Sequence, residues 1–301
     1  MTPGERALAH VRALFPAVAP FPDAPITVNF HPDRLLPDGR TVIEHLAADG
    51  IYRSQFETRI SNGLVFPYPG GDRDRWEQRM FGGAYTSAMG RPVYGALNLA
   101  GHPDGAAPRF GSCHLLLRPH VAARATFSLG DSHTEPALLG TADTFGAIWD
   151  GLLAQVARTG QALGVTAAGR HAWAAALAAP RTDAGRTLDD YVEAQIHDGV
   201  TVAADAAAVV ADPSFRGTPT EAALRSLGVE VRWHRGFRLP AAEFPADLRG
   251  EQVPPLAREI AARYGQPVLD AEIIGRAARD GDHPQLVKYL WHILVIRGRP
   301  A

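Results

Sequence analysis

Apolar and polar positions alternate along this chain with two periods, and the period changes often. Leu8, Val11, Leu14 and Phe15 recur at helical spacing, which predicts an amphipathic helix over residues 5–15. A proline-rich joint follows, then ITVNFH, a strand that ends at His31, where Pro32 favours extended backbone for that histidine. TVIEHLAA, residues 41–48, predicts a helix closed by Asp49-Gly50. Residues 51–85 read as long ordered loops around a short DRDRWEQRM helix. Strands are expected over residues 93–99, 111–118 and 125–129.

The stretch from 141 to about 179 is alanine-rich and reads as helix. VEAQIH, residues 192–197, reads as a strand, and residues 203–210 as a helix stopping before Asp212-Pro213. Thr218-Pro-Thr-Glu221 has the form of a capping box with proline at the first helical position. Its helix ends at Gly228, and the VEVRW strand follows. The tail carries two or three helices, the last capped at Asp282 and closed near Gly298.

Irregular alternation, with several strands adjacent in sequence, predicts an α+β fold rather than a doubly wound sheet. The expected architecture is small mixed or antiparallel sheets around a cleft, with a helical C-terminal part. Residues 1–240 form the expected core, with a helical insertion at about 140–180. Residues 241–301 form a helical subdomain packed on it.

Composition narrows the chemistry. The 301 residues are 46% hydrophobic and 21% charged, ordinary for a globular chain. A formal charge of −2 gives no basic field for a phosphate backbone, so no nucleic-acid partner is expected. Cys113 is the single cysteine, which removes disulfide frameworks and cysteine-rich zinc sites, and it is expected to be a small buried hydrophobe. No apolar run is long enough to span a bilayer, and the first residues lack a signal-peptide core. A cytoplasmic location without membrane contact is expected. Lys288 is the only lysine, on a helix that reads as structural. There is no Walker loop, HExxH, GxSxG or GxGxxG.

Three places carry candidate chemistry. The loop from Tyr52 to Tyr85 gathers Arg53, Ser54, Asn62, Arg73 and Arg75 among glycines, donors suited to phosphate or carboxylate. A self-satisfied structural loop would use the same residues. On the 192–197 strand, alternation puts Glu193, Gln195 and His197 on one face, though an edge strand half in water reads the same way. His31 closes the first strand and Arg34 follows it. No histidine pair has helical ligand spacing beside a carboxylate, so no metal is expected. Asp131-Ser-His133 looks like a fragment of a triad, but such members adjacent in sequence carry little weight.

The strings HPDR, YRSQFETRISNG, PGGDRDRWE, FGGAY, RPVYGALNL, FGSCHLLLRPHV, TFSLGDS and YVEAQIH are similar to those of a bacterial family described as a domain of unknown function. This covers nearly the whole chain and implies no activity. The chain also resembles ADP-ribosyltransferase-like folds in the order of its parts: His31 or Arg34, then Tyr94 or Thr126-Phe127-Ser128, then Glu193. It departs from that pattern at Gln195, where many family members have Glu, which leaves open which carboxylate acts.

That second resemblance implies an enzyme that cleaves the nicotinamide–ribose bond of NAD, its nucleotide substrate, as a transferase or glycohydrolase. Glu193 and Gln195 would be catalytic, and His31, Arg34, Arg53, Ser54, Arg73 and Tyr94 would hold the cofactor. The alternatives are a hydrolase or transferase on a phosphorylated small molecule, and a non-catalytic binding module.

Overall fold

The computed structural model describes residues 1–59 and 67–301. Asn62, one of the candidate loop donors, lies outside them. The α+β organisation expected from the sequence is the one observed. Among the described residues, eight strands join in one mixed sheet: β1 (Ile26–Phe30), β2 (Val93–Leu97), β3 (Cys113–Leu117), β4 (Ala125–Leu129), β5 (Leu139–Thr141), β6 (Val192–Ile196), β7 (Ala206–Ala211) and β8 (Glu230–Trp233). Their order across the sheet is β8-β7-β3-β1-β2-β6-β4-β5. Only β7 and β8 run parallel.

Register sorts the two faces. Thr27, Ala96, Glu193 and Ser128 pair in one row across β1, β2, β6 and β4, and Tyr94, Gln195 and Thr126 form the next row on that face. Cross-strand neighbours share a face, so the polar side chains of four strands collect on one side. The intervening residues, among them Val28, Leu115, Phe127, Ala194 and Ile196, are fully buried in the main hydrophobic cluster.

The helices are α1 (Pro3–Leu14), α2 (Val42–Asp49), α3 (Gln55–Thr58), α4 (Asp72–Met80), α5 (Gly146–Thr159), α6 (Arg170–Leu177), α7 (Val202–Asp205), α8 (Pro219–Arg225), α9 (Val253–Tyr264), α10 (Ala271–Arg279) and α11 (Pro284–Arg297). Capping boxes begin α1, α2 and α3, at Thr2, Thr41 and Ser54. The C-terminal helices contribute Ile260, Ile274, Leu290 and Trp291 to the same cluster as the sheet.

Two expected helices differ. The alanine-rich 141–179 stretch is α5 and α6 separated by a short hairpin, because Gly160, Leu163 and Gly164 have positive φ and turn the chain. Residues 203–210 are mostly strand: α7 is one turn, and β7 lies buried between β3 and β8. Sheet hydrogen bonds on both sides of β7 outweigh alanine's preference for helix. The last helix is capped one residue later than expected, at His283, and Asp282 instead pairs with Arg263. The expected capping box at Thr218 and Glu221 is not made: Glu221 accepts from the Gly217 amide, one residue before the cap, and the Thr218 hydroxyl turns back to the Phe215 carbonyl.

Candidate functional site

A cleft of about 400 Å³ opens over the polar face of the sheet. β2 and β6 give it Tyr94 and Glu193. The segment leaving β1 gives His31 and Arg34, α4 gives Arg73, and one side of α11 faces in.

Glu193 is 4% exposed. Its carboxylate accepts from the Gln195 side-chain amide at 2.9 Å, and that amide's second N–H reaches the Ser128 hydroxyl at 3.0 Å. The Thr126 hydroxyl donates to the Gln195 carbonyl at 2.8 Å, and lies 3.2 Å from Nε2 of His197. The Tyr85 hydroxyl sits 2.5 Å from Nδ1 of the same ring. With a carboxylate as the final acceptor, every donor in this chain is fixed. Thr126 has spent its proton on Gln195, so Nε2 of His197 donates to Thr126 and Nδ1 accepts from Tyr85. Burial pushes the His197 ring down to about 3, so it stays neutral in that role. The dipoles all point the same way, towards Glu193.

Two carboxylates of the cleft are pushed apart. Burial, and then the charge of Asp131, push Glu193 up to about 8, against hydrogen bonds from Ser132 and Gln195 and the charge of Arg73. Burial also acts on Asp131, but hydrogen bonds from the ring and amide of His133 outweigh it and hold Asp131 below the usual carboxylate range. The His133 ring lies 2.7 Å from Asp131.

Tyr94 presents its ring to the cleft while its hydroxyl donates to buried Glu77 at 2.5 Å. Arg91 holds the other Glu77 oxygen at 2.7 Å. The Arg73 guanidinium lies 5.0 Å from the centre of the Tyr94 ring and 5.3 Å from that of Trp76. Arg73 thus covers an aromatic surface and puts positive charge near Glu193.

His31 stands edge-on to Trp291 at 5.1 Å, and burial with the nearby Arg34 pushes its ring down to about 3. The turn that carries both residues is pinned from the far end of the chain: Arg279 donates to the buried Asp33 carboxylate at 2.6 Å. Gly275 makes room for this, since a Cβ there would overlap that carboxylate.

The sequence-predicted residues are not equally placed. His31, Arg34, Arg53, Ser54, Arg73, Tyr94 and Glu193 all line the cleft. Gln195 does not; it is fully buried behind Glu193. Ser54 caps α3 and donates to Glu57 at 2.7 Å, and Arg53 pairs with Asp49. Both already have structural work.

Other cleft residues carried little weight in the sequence, Asp131 and His133 as a triad-like fragment, or none, as with Arg109, Arg249, Lys288 and His292. The α11 residues had a legible signal. Gln285, Lys288, Tyr289 and His292 recur at helical spacing on a helix otherwise rich in Leu, Val and Ile. Among the described residues no group of three His, Cys, Asp or Glu is placed to hold a metal ion. No helix among them is long and apolar enough to cross a membrane.

Residues 25–296 match a family model described as "Protein of unknown function (DUF3626)". No curated protein matches the sequence.

Proposed function

The chain belongs to the DUF3626 family, whose description names no activity, and from the cleft itself we propose a cytoplasmic enzyme that cleaves the nicotinamide–ribose bond of NAD. The observation that carries this reading is Glu193: a buried carboxylate opening into a cleft, fed by a polarised chain of donors and flanked by an aromatic ring and cations.

Breaking that bond sends its electron pair to nicotinamide and leaves an oxocarbenium-like ribose, as in glycoside hydrolysis. A carboxylate beneath the anomeric carbon stabilises that cation, and the preorganised chain holds it there without reorganisation. The positive nicotinamide ring of the substrate favours the ionised form of Glu193 on binding, against the cost of burial. Tyr94 offers a ring for stacking, and His31 a hydrogen bond for ribose. Water or an acceptor hydroxyl then captures the ribose. Gln195 acts through Glu193, as a positioning residue.

The experiment is nicotinamide release from NAD by the purified protein. Release above the protein-free rate supports the reading, and its absence over a range of pH removes it. A second reading, a hydrolase or transferase on another phosphorylated small molecule, is favoured by the cations of α11 and its neighbours. A phosphorylated ligand retained in the cleft, with no NAD turnover, would select it. A protein that binds such a ligand and turns nothing over would be the binding module.

A further inference from the structure

Helix α11 turns Gln285, Lys288, Tyr289 and His292 towards the cleft, three and four residues apart and so on one face. Its other faces bury Val287, Leu290, Trp291, Ile293 and Leu294. This helix therefore belongs to the core on one side and to the cleft on the other.

The charges on the cleft side are unbalanced. Lys288 makes no hydrogen bond or ion pair among the described residues, nor does Arg249, whose guanidinium lies 5.6 Å from the centre of the Tyr289 ring. Arg109 comes in from the turn after residue 107 and is already shared between Asp131 and Asp189. Burial, and then the charges of Arg109, Arg249 and Arg34, pull the Lys288 amine down against the smaller opposing effect of Asp131. Crowding cations in a partly buried cleft works against the fold unless something anionic joins them.

A second observation points the same way. His292 is 2% exposed, lines the cleft, and has no partner at either ring nitrogen. An unpaired imidazole so deeply buried has given up its water without a replacement partner, which is a net cost to the fold. A neutral ring has one N–H to give to an oxygen that enters the cleft. Two unshared cations together with an idle donor suit a phosphoryl group. A single carboxylate would leave one of the cations uncompensated.

We propose that this face of α11 is a phosphate subsite, in which Lys288 and Arg249 neutralise a phosphoryl group of the ligand and His292 donates a hydrogen bond to it. This moves phosphate recognition from the loop arginines to the C-terminal helix. Arg53 is held by Asp49 and Arg73 by its aromatic neighbours. The subsite deepens the NAD reading and rests on it for the identity of the ligand, but it requires only a phosphoryl anion.

Calorimetric titration of the full chain with inorganic pyrophosphate and with ADP-ribose tests it, using wild type, Lys288→Met, Lys288→Arg and Arg249→Met, with a melting curve for each. The expected result is that wild type binds both ligands. Lys288→Met and Arg249→Met each weaken both by about tenfold or more, while Lys288→Arg keeps most of the affinity. If Lys288→Met misfolds, retained binding in Lys288→Arg and loss in Arg249→Met carry the test. Pyrophosphate binding that depends on Lys288, without ADP-ribose binding, upholds the subsite and removes the NAD reading. ADP-ribose binding indifferent to both Met substitutions overturns the subsite and leaves the NAD reading standing. Failure of wild type to bind either ligand overturns the subsite.

Discussion

The Tyr85 hydroxyl and the Glu193 carboxylate are the two ends of one hydrogen-bonded chain that passes through His197, Thr126 and Gln195. Each link donates towards Glu193, so cutting the chain weakens the support of its anion. Thr126→Val removes the central hydroxyl, leaving the Gln195 carbonyl without that donor and the His197 N–H without its acceptor. It should cost about 1–3 kcal/mol of stability. The pH dependence of NAD cleavage should move to higher pH, because Glu193 becomes harder to ionise. Tyr85→Phe should move it in the same direction by less. A pH profile identical to wild type in a folded Thr126→Val variant would show that the chain does not reach the chemistry.

Glu193 should lower the stability of the protein it serves. Its folded value is raised to about 8 from an unfolded value of 4.5. The proton it holds in the fold therefore stabilises fully below about 4.5. That contribution is lost as pH rises through about 8. Glu193→Gln has no such titration and keeps a polar group beside Gln195. Its melting temperature relative to wild type should rise between pH 5 and pH 9. A structural ion pair at Glu193 would give the opposite sign, a variant less stable than wild type at neutral pH.

The sequence made part of this arrangement legible. Alternation in VEAQIH was enough to place Glu193, Gln195 and His197 on one face, because period two survives whatever packs on the strand. It could not separate Glu193, which reaches the cleft, from Gln195, which does not, since that depends on the neighbouring strand and the covering helix. Residues 206–211 show the reverse failure: an Ala-Val run satisfies a helix locally, and only pairing with β3 and β8 makes it a strand. Lys288 reads as structural because it sits on a helix rich in apolar residues; the spacing of Gln285, Lys288, Tyr289 and His292 marks one polar face of that helix, but nothing local says that this face borders a cleft rather than bulk water.

The two loop arginines should behave differently. Arg53 is partly exposed and tied to Asp49, so Arg53→Ala should change the KM for NAD by no more than a few-fold. Arg73 is buried against Tyr94 and Trp76 near Glu193, so Arg73→Ala should raise KM and lower kcat by about tenfold or more. Steady-state kinetics on both variants checks this. Equal and negligible effects would make the loop structural.

Cys113 is fully buried in β3, and burial pushes its thiol far above the ordinary range. It should resist a thiol reagent in the native protein and react in full once the chain is unfolded in guanidinium. Rapid native labelling with loss of activity would assign it a role that its surroundings do not support.

The pH dependence of kcat/KM tells which form of Glu193 works. A carboxylate acting as an anion gives a profile that rises to a plateau above about 8, whereas a proton donor gives one that falls there. Substrate charge should place the midpoint for kcat lower than that for kcat/KM.

Whether Glu193 carries the cleavage is decided by nicotinamide release from NAD by wild type and Glu193→Gln, measured at pH 8 on preparations shown by melting curves to be folded. The expected result is release by wild type and a fall on the order of a hundredfold or more in the variant, with ADP-ribose affinity retained. Wild-type turnover in folded Glu193→Gln, or no release by wild type at all, would contradict it.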